Sequence, residues 1–333
     1  MNTFGEIFKI SIFGESHNSH IGITIDGCPA GIKIDESEFN TDLKRRKSGK
    51  IGTTPRKEQD RPQIISGIYK NHTTGSPITI LFQNQNKRSD DYNEFQRMPR
   101  PGHADFTAYK KFQGFNDPRG GGHFSGRVTL GLVAAGVIAK KIIFPVFINA
   151  KLTEAGGMEN INKAIEKAIQ DNDTIGGIVE CRAKNIPVGI GEPFFNSIES
   201  VISHLVYSIP AIKGIEFGSG FRAAKMKGSE HNDPIIKSNG QTKTNNAGGI
   251  NGGITNGNDI YFRVAVKPTA STPQKQKTLN LQTEQIENLE VKGRHDFCIA
   301  LRIPVIVEAV TAIALADFML LEQKSPRVFQ AHS

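Results

Sequence analysis

The chain of 333 residues carries the same short patterns, in the same order, in its first and second halves. The first match pairs Ile21-Gly22 and Pro29-x-Gly31-Ile32 with Ile175-Gly176 and Pro187-x-Gly189-Ile190. The second pairs Gly67-Ile68, Thr74-Gly75 and Ile78 with Gly253-Ile254, Asn256-Gly257 and Ile260. The third pairs Arg119–Gly122 with Gly293-Arg294. Two copies of one α/β unit normally pack into a common core, since each copy must bury its apolar face. The repeat therefore predicts one large domain over residues 1–333, where length alone would also allow two domains.

Alternation of apolar and polar residues predicts strands, and apolar residues at helical spacing predict helices. The predicted strands are Phe8–Phe13, Ile21–Ile25, Ile64–Tyr69, Ile78–Phe82, Ile178–Cys181 and Ile260–Val266. The predicted helices are Arg127–Ile143, Glu159–Gln170, Ser197–Tyr207 and Val305–Leu321. The chain is therefore expected to combine sheets and helices, with an internal pseudosymmetry between its halves.

The sequence argues against membrane, secreted and zinc-binding proteins. Its longest apolar stretches, Val128–Ala139 and Val305–Ala316, are shorter than the ~20 apolar residues of a membrane span. The N-terminus has no basic region followed by an apolar run, so no secretory signal is predicted. Cys28, Cys181 and Cys298 are widely spaced and form no CxxC motif, which is typical of buried thiols in a reducing compartment. We expect a cytoplasmic protein without a metal site.

The net charge of +8 leaves two kinds of anionic partner open. A nucleic-acid-binding protein would place basic residues along one face with interleaved aromatic residues, whereas an enzyme for small anions would place arginines in a few loops. The basic cluster Lys44–Lys47 has no interleaved aromatic residues. The sequence therefore favours a pocket for small anions, and nucleic-acid binding stays the weaker alternative.

Glycine is abundant, with 34 residues, and its most specific cluster is RGGGHFSGR at Arg119–Arg127. Three consecutive glycines cost conformational entropy and are typical of a backbone that approaches an anion at a helix N-terminus. Arg119 and Arg127 flank the glycines with guanidinium groups that suit phosphate. The pattern GxxxxGK[ST] is absent, so the cluster is not a P-loop. A second glycine-rich segment, residues 228–257, is expected to be ordered around a ligand.

Four further loops combine titratable, cationic and hydroxyl groups. They are Phe13–His17, Arg100–Asp105, Lys267–Thr272 and Gly293–Asp296. Histidine exchanges protons near neutral pH, so His17 and His103 are candidate proton carriers. Taken singly, each loop is explained about as well by a structural role, as a turn, a capping serine or a surface ion pair, as by a role in catalysis or binding. A fifth segment, Gly218–Ala223, matches GxGxxA but lacks the helix and acidic residue of a nicotinamide site.

Together the segments FGESH, RPGHAD, RGGGHFSGR, NNAGGINGG, KPTAS and GRHD resemble the chorismate synthase family in order and spacing, over nearly the whole chain. The resemblance implies an α+β fold, a β-α-β sandwich with an internal pseudo-twofold repeat, assembled as a homotetramer. It implies a lyase that forms chorismate from 5-enolpyruvylshikimate 3-phosphate by 1,4-anti elimination, with reduced FMN as cofactor, in the shikimate pathway of aromatic amino acid biosynthesis. The family is also associated with NADP. Since no nicotinamide motif is present, we expect an external flavin reductant.

The resemblance also implies roles for single residues. His17 matches the histidine that protonates the leaving phosphate, and His103 matches the one that protonates the reduced flavin near N1. Asp296, assisted by Ser16, matches a group that relays a proton from flavin N5. The implied substrate-binding residues are Arg46, Arg100, Arg127 and Arg294. The implied FMN contacts are His123, Phe124, Ser125, Pro210, Ala211, Gly252, Lys267, Pro268, Thr269, Ala270, Ser271 and Arg294. An anion-handling enzyme without flavin is a third hypothesis.

Overall fold

Two antiparallel sheets enclose a layer of helices in the computed structural model, which describes residues 2–54, 58–85, 94–291, 293 and 295–330. The elements of the first half are β1 (Thr3–Phe4), β2 (Lys9–Gly14), β3 (His20–Asp26), α1 (Phe39–Arg46), β4 (Gln63–Ile64), β5 (Ile68–Tyr69), β6 (His72–Thr73), β7 (Ile78–Gln83), α2 (Asp105–Phe112) and α3 (Thr129–Ile142). The elements of the second half are β8 (Phe147–Ala155), α4 (Ile161–Gln170), β9 (Gly177–Lys184), α5 (Ile198–Ser208), β10 (Ile212–Phe217), α6 (Gly228–His231), β11 (Ile250–Asn251), β12 (Ile254–Thr255), β13 (Ile260–Val266), β14 (Gln276–Leu279), β15 (Ile286–Leu289) and α7 (Ile303–Leu321).

The layers are set by the packing of the two longest helices. The first sheet has the strand order β1-β2-β3-β7-β4, and the second has the order β10-β13-β9-β8. Helix α3 packs on β3 and β7, α7 packs on β8 and β9, and the two helices pack on each other. The order is therefore sheet, helices, sheet, and the predicted α+β sandwich is confirmed.

The internal repeat is visible in the topology. In the first half, β2 and β3 pair, α1 follows, β7 pairs with β3, and β4 lies outside β7. The β5–β6 hairpin lies between β4 and β7 in sequence, and α3 ends the unit. The second half repeats this order with β8, β9, α5, β10, the β11–β12 hairpin, β13 and α7. The predicted pseudosymmetry is confirmed, while the extent of a single domain over residues 1–333 stays a prediction.

Helix α7 is buried on nearly all sides because the second sheet and other helices surround it. Every residue from Val305 to Leu320 is buried. With the 3-10 turn before it, the helical stretch Ile299–Leu321 has 23 residues and is long and apolar enough to cross a membrane. However, 78% of its most apolar window is buried inside the protein. It is identified as a core helix by its burial. The sequence argument, that the apolar stretch Val305–Ala316 is too short for a membrane span, does not apply to the full helical stretch.

Several elements differ from the predicted ones. The predicted strand Ile64–Tyr69 is two short strands, β4 and β5, because Gly67 turns the chain with a φ of +82°. The sequence patterns also do not predict α1, α2, β8, β14 or β15. The buried residues of α1, Phe39, Leu43 and Arg46, have helical spacing, but only two of them are apolar, too few to form a pattern in the sequence. The segment that matches GxGxxA leads into a 3-10 turn beside an antiparallel sheet, unlike a nicotinamide-binding unit.

Candidate active site

A pocket of about 1030 Å³ is lined by loops from both halves of the chain. Small-molecule sites usually measure ~300–1,000 Å³, so this volume leaves room for a substrate beside a cofactor. Both central helices begin at the pocket, where Thr129 of α3 and Ile303 of α7 lie on its wall. The predicted site residues that line it are Ser16, Arg46, Arg100, His103, His123, Phe124, Ser125, Arg127, Pro210, Ala211, Lys267, Pro268, Thr269, Ala270, Ser271 and Asp296.

Three predicted site residues are not among those lining residues. His17 is only 4% exposed and packs against the glycine cluster. Gly252 lies at the exposed turn of the β11–β12 hairpin, outside the pocket. Arg294 lies outside the described residues, so its role stays a prediction.

The polar glycine loop at 228–257 is held by its own hydrogen bonds. Asp233 Oδ1 accepts from Thr244 Oγ1 at 2.6 Å and from the Asn246 N–H at 2.8 Å. Asp233 Oδ2 accepts from the Ala247 N–H at 2.8 Å. These contacts account for the order of the loop, and an ordering ligand stays a prediction.

The three consecutive glycines lie between the two loop histidines. Gly120, Gly121 and Gly122 have φ values of +60°, +79° and +53°, which L side chains rarely adopt. A Cβ atom on Gly120 would lie 2.5 Å from Cδ2 of His17. One on Gly121 would lie 3.5 Å from Cε1 of His103. The glycine backbone therefore packs against both imidazole rings, and no side chain fits at Gly120.

His103 lies in close contact with the carboxylate of Asp105, and a guanidinium binds the same carboxylate. His103 Nδ1 lies 2.5 Å from Asp105 Oδ1. Arg100 donates from Nε and Nη2 to the two oxygens of Asp105, at 2.8 Å each, and from Nη1 to Ser271 Oγ at 2.8 Å. Burial by itself would raise the pKa of Asp105, but hydrogen bonds from Arg100 and His103 outweigh it and lower that pKa below its usual value. Arg100 thus binds protein groups, and its contact with substrate stays a prediction.

Two buried arginines share one carboxylate on the pocket wall. Arg127 Nη1 lies 2.8 Å from Asp60 Oδ1, whereas Arg46 Nη1 lies 4.0 Å from Asp60 Oδ2. Arg46 also donates from Nη2 to Gly126 O at 2.6 Å. Burial, followed by the charge of Arg302, lowers the pKa of Arg46 well below its usual value, and Asp60 only partly offsets this. The cluster favours an anionic ligand, because a further negative charge reduces the repulsion between its guanidinium groups.

Arg302 is a pocket residue that the sequence patterns do not single out. It donates from Nη1 to Asp296 Oδ2 at 3.2 Å and from Nε to Arg46 O at 2.9 Å. Asp296 also accepts from the Thr54 N–H at 2.8 Å. The internal repeat could have identified Arg302, because Arg302 precedes α7 in the second half as Arg127 precedes α3 in the first half.

The Lys267–Ser271 turn adds a cation and a buried hydroxyl. Lys267 Nζ donates to Gly102 O at 2.5 Å. Burial, and then the charge of Lys213, lowers the pKa of Lys267 below its usual value. In the part of the chain that the structure describes, Thr269 Oγ1 is buried without a hydrogen-bond partner. Both groups suit an anion that accepts hydrogen bonds from them.

His123 and Phe124 contribute ring systems to the pocket wall. His123 Nδ1 lies 2.8 Å from Gly14 O, and Nε2 lies 3.1 Å from Asn2 Oδ1. Since a carbonyl oxygen only accepts, Nδ1 carries a proton. The Phe124 ring is 41% exposed. An aromatic side chain and an imidazole of fixed orientation therefore line the same space.

Comparisons with known proteins point to one family. A family model described as Chorismate synthase matches residues 8–320. A chorismate synthase of Chitinophaga pinensis is 61% identical, covering 99% of this chain and 100% of that protein. One of Dehalococcoides mccartyi is 44% identical and covers 99% of both proteins. A crystal structure of chorismate synthase gives a TM-score of 0.73 at 26% identity, covering 96% of this chain and 93% of that one.

The chain belongs to the chorismate synthase family. The predicted family and the predicted enzyme class, a carbon–oxygen lyase, are confirmed. The family match spans both halves of the repeat and every residue that lines the pocket except Asn2. The roles of single side chains stay predictions.

Proposed function

We propose that the chain catalyses the chorismate synthase reaction, in which phosphate leaves C3 and hydrogen leaves C6 of 5-enolpyruvylshikimate 3-phosphate by 1,4-anti elimination. The observation that carries this proposal is the meeting of buried guanidinium groups and histidine-bearing loops in one pocket of about 1030 Å³. The substrate carries two carboxylates and a phosphate. A pocket with more guanidinium groups than carboxylates matches that charge, and burial strengthens each contact.

The arginines Arg46, Arg100, Arg127 and Arg294 are assigned to substrate binding in this proposal. Arg46 supports it best, because its charge is buried and Asp60 approaches it only to 4.0 Å. Arg127 is held by Asp60 at 2.8 Å and so presents a fixed guanidinium to the pocket. Arg302, held by Asp296, adds a further cation. Bound substrate oxygens would reduce the repulsion among these groups.

Proton movement is assigned to the two loop histidines and to Asp296. His17 gives a proton to the leaving phosphate, and His103 holds a proton near flavin N1. Asp296, with Ser16 close in the same pocket, takes part in the transfer of the second proton. The packing of the glycine backbone against both imidazoles supports these roles, because proton transfer requires rings of fixed position.

The residues assigned to the cofactor fit FMN. Thr269 Oγ1 is buried without a partner among the described residues, and Lys267 lies on the same turn, so a phosphate would satisfy both. His123, Phe124 and Ser125 line the pocket with an imidazole, a phenyl ring and a hydroxyl, and Pro210 and Ala211 add an apolar edge. These residues would hold reduced FMN, whose chemistry would be to lend electron density to the breaking C–O bond without net oxidation.

We further propose a homotetramer in the cytoplasm that receives reduced flavin from an external reductant. Gly252 supports the assembly, because its exposed hairpin turn lies outside the pocket of its own chain. As a flavin contact it would serve a neighbouring subunit. The lack of a nicotinamide motif in the sequence supports the external reductant.

The decisive experiment is an anaerobic assay of phosphate release from 5-enolpyruvylshikimate 3-phosphate. Reduced FMN should support release and oxidised FMN should not. His17→Gln and His103→Gln should lose turnover while keeping the native assembly and fold. His72→Gln, on the β5–β6 hairpin outside the pocket, is the matched control and should keep full turnover. No release with reduced FMN would overturn the proposal.

The two alternative functions, nucleic-acid binding and an enzyme without flavin, predict different binding to oligonucleotides and to FMN. A nucleic-acid-binding protein would bind random oligonucleotides near ~50 mM salt and lose affinity steeply as salt rises. A flavin-free enzyme would show no thermal shift with FMN. We expect no oligonucleotide binding and a rise in melting temperature with FMN.

A further inference from the structure

Asp105 is the first residue of α2, and its side chain points back to the turn that carries His103. Its Oδ1 lies 2.5 Å from His103 Nδ1. A carboxylate at the first position of a helix is stabilised by the helix dipole. The carboxylate and the imidazole are therefore fixed relative to each other by a short turn and by the start of a helix.

Arg100 holds the carboxylate of Asp105 from the other side. Its two hydrogen bonds to Asp105, at 2.8 Å each, form a bidentate pair. The guanidinium is itself fixed by Ser271 Oγ at 2.8 Å and by the Phe95 ring, whose centroid lies 4.4 Å away. With so many contacts, Arg100 keeps Asp105 in place and keeps a positive charge beside it. An ionised carboxylate in this position can only accept hydrogen bonds.

This arrangement decides which nitrogen of His103 carries the proton in the neutral ring. An ionised carboxylate oxygen 2.5 Å from Nδ1 would repel a lone pair on that nitrogen, so Nδ1 carries the proton and Nε2 is left with its lone pair. Arg100 Nη2 lies at similar distances, 3.0 and 3.2 Å, from Nδ1 and Nε2. One atom cannot lie along both lone pairs, so Nη2 lies beside the ring and does not replace the contact with Asp105. On the Nε2 side, a Cβ atom on Gly121 would lie 3.6 Å away, so the glycine leaves that edge of the ring uncrowded.

We propose that Asp105 is a positioning residue that holds His103 with its proton on Nδ1 and leaves Nε2 to exchange a proton in the pocket. The catalytic part of this inference rests on the proposed function, in which His103 moves a proton. Arg100 takes part by holding the carboxylate. In acid–base catalysis by histidine, a carboxylate on Nδ1 fixes both the tautomer and the direction of the ring.

The first test needs no variant that disturbs the fold. The full-length protein is labelled with ¹⁵N-histidine, and the His103 signals are assigned by their loss in His103→Gln. At a pH where the ring is neutral, we expect a protonated Nδ1 and an unprotonated Nε2. A neutral ring protonated at Nε2 would overturn the proposal. This result does not depend on turnover, so a protein with the expected tautomer but no phosphate release would contradict the proposed function alone.

The second test measures kinetics. In Asp105→Asn we expect turnover to fall ~10²–10⁴-fold, the usual contribution of acid–base catalysis, with KM for substrate changed by less than about threefold. The His103 tautomer should become mixed. Glu216→Gln is the matched control, because it breaks an Arg263–Glu216 pair of 2.6 Å outside the pocket and should change neither turnover nor tautomer. An Asp105→Asn protein with native turnover would overturn the proposal, and if this variant does not fold, the tautomer of the unmodified protein decides.

Discussion

Thr73 and Thr255 make the same side-chain hydrogen bonds in the two halves of the chain. Each hydroxyl donates to a proline carbonyl and accepts from the N–H of the isoleucine three residues after that proline. The partners are Pro29 O at 2.7 Å and Ile32 N at 2.9 Å for Thr73, and Pro187 O at 2.7 Å and Ile190 N at 2.9 Å for Thr255. Both threonines are at least 96% buried. Each one ties the loop after a central strand to the hairpin of its unit.

Valine in place of either threonine should destabilise the fold to a similar extent. Thr73→Val and Thr255→Val each leave a buried carbonyl and a buried N–H without their partner, which costs about 1–3 kcal/mol. Serine variants keep the hydroxyl and should cost less. Urea unfolding followed by circular dichroism measures the free energy, since the chain has no tryptophan. A valine variant no weaker than its serine counterpart would contradict the role of the hydroxyl.

A methyl group at Gly120 should impair turnover beyond its effect on stability. In Gly120→Ala, the new Cβ would lie 2.5 Å from His17, so the imidazole must move. Gly157→Ala is the matched control, because Gly157 has a φ of +77° with no atom within 4 Å of the added Cβ. Both variants should lose about 1–3 kcal/mol of unfolding free energy from backbone strain. Only Gly120→Ala should lose phosphate release, and equal losses of activity would show that His17 is not displaced.

The internal repeat predicted a common core with pseudosymmetry, and the resemblance carried by the motif segments implied the sandwich and a number of the residues on the pocket wall. Segments such as Arg119–Arg127 are visible in the sequence because unusual residues stand next to one another. Gly252 marks the limit of this reasoning, because a motif residue can be recognised without knowing which surface it lies on.

The charged partners of the site residues could not be predicted. Asp60 and Arg302 are separated in sequence by most of the chain, yet both contact the arginine cluster. Such pairs arise only when helices and loops pack, and no local pattern records them. Asp105 lies in the RPGHAD segment, but its contact with His103 and its role follow from the direction of its side chain at the start of α2.

Loss of the Glu308 carboxylate should cost much more stability than loss of an exposed ion pair. Glu308 lies in the buried face of α7 and accepts from Arg45 at 2.6 and 2.7 Å, from Lys140 at 3.2 Å and from the Ala150 N–H at 2.8 Å. The hydrogen bond from Arg45 to Glu308 raises the pKa of Arg45. Breaking a buried pair costs about 3–5 kcal/mol, and the partial exposure of Arg45 favours the lower end.

The variant Glu308→Gln removes the buried carboxylate, and Lys141→Met, which breaks a partly exposed ion pair, is its control. Lys141 pairs with Glu38 at 2.7 Å, and both side chains are partly exposed. A pair of that kind contributes less than about 1 kcal/mol. Urea unfolding of the two variants should therefore separate them by at least about 2 kcal/mol. Equal midpoints would show that the Glu308 network does not stabilise the packing of α1 and α3 on α7.

Arg46 and Arg45 are adjacent in sequence, but their replacement should have opposite effects on stability. The pKa of Arg46 is lowered by burial and by Arg302, so its charge is unfavourable in the folded state, whereas the unfolded chain holds that charge in water. At neutral pH the charge therefore lowers the free energy of unfolding. Gly126 O keeps a hydrogen bond from Thr129 Oγ1 at 2.6 Å when Arg46 is removed.

Arg46→Met should therefore unfold at the same or a higher urea concentration than the unmodified protein, while its phosphate release falls ~10²–10³-fold, as for loss of one charge-stabilising donor. Arg45→Met should lose about 3 kcal/mol, because Glu308 then loses its bidentate partner. Unfolding curves and phosphate-release assays on both variants make the comparison. If Arg46→Met were as unstable as Arg45→Met, the charge of Arg46 would be part of the folding energy and not a charge held for the substrate.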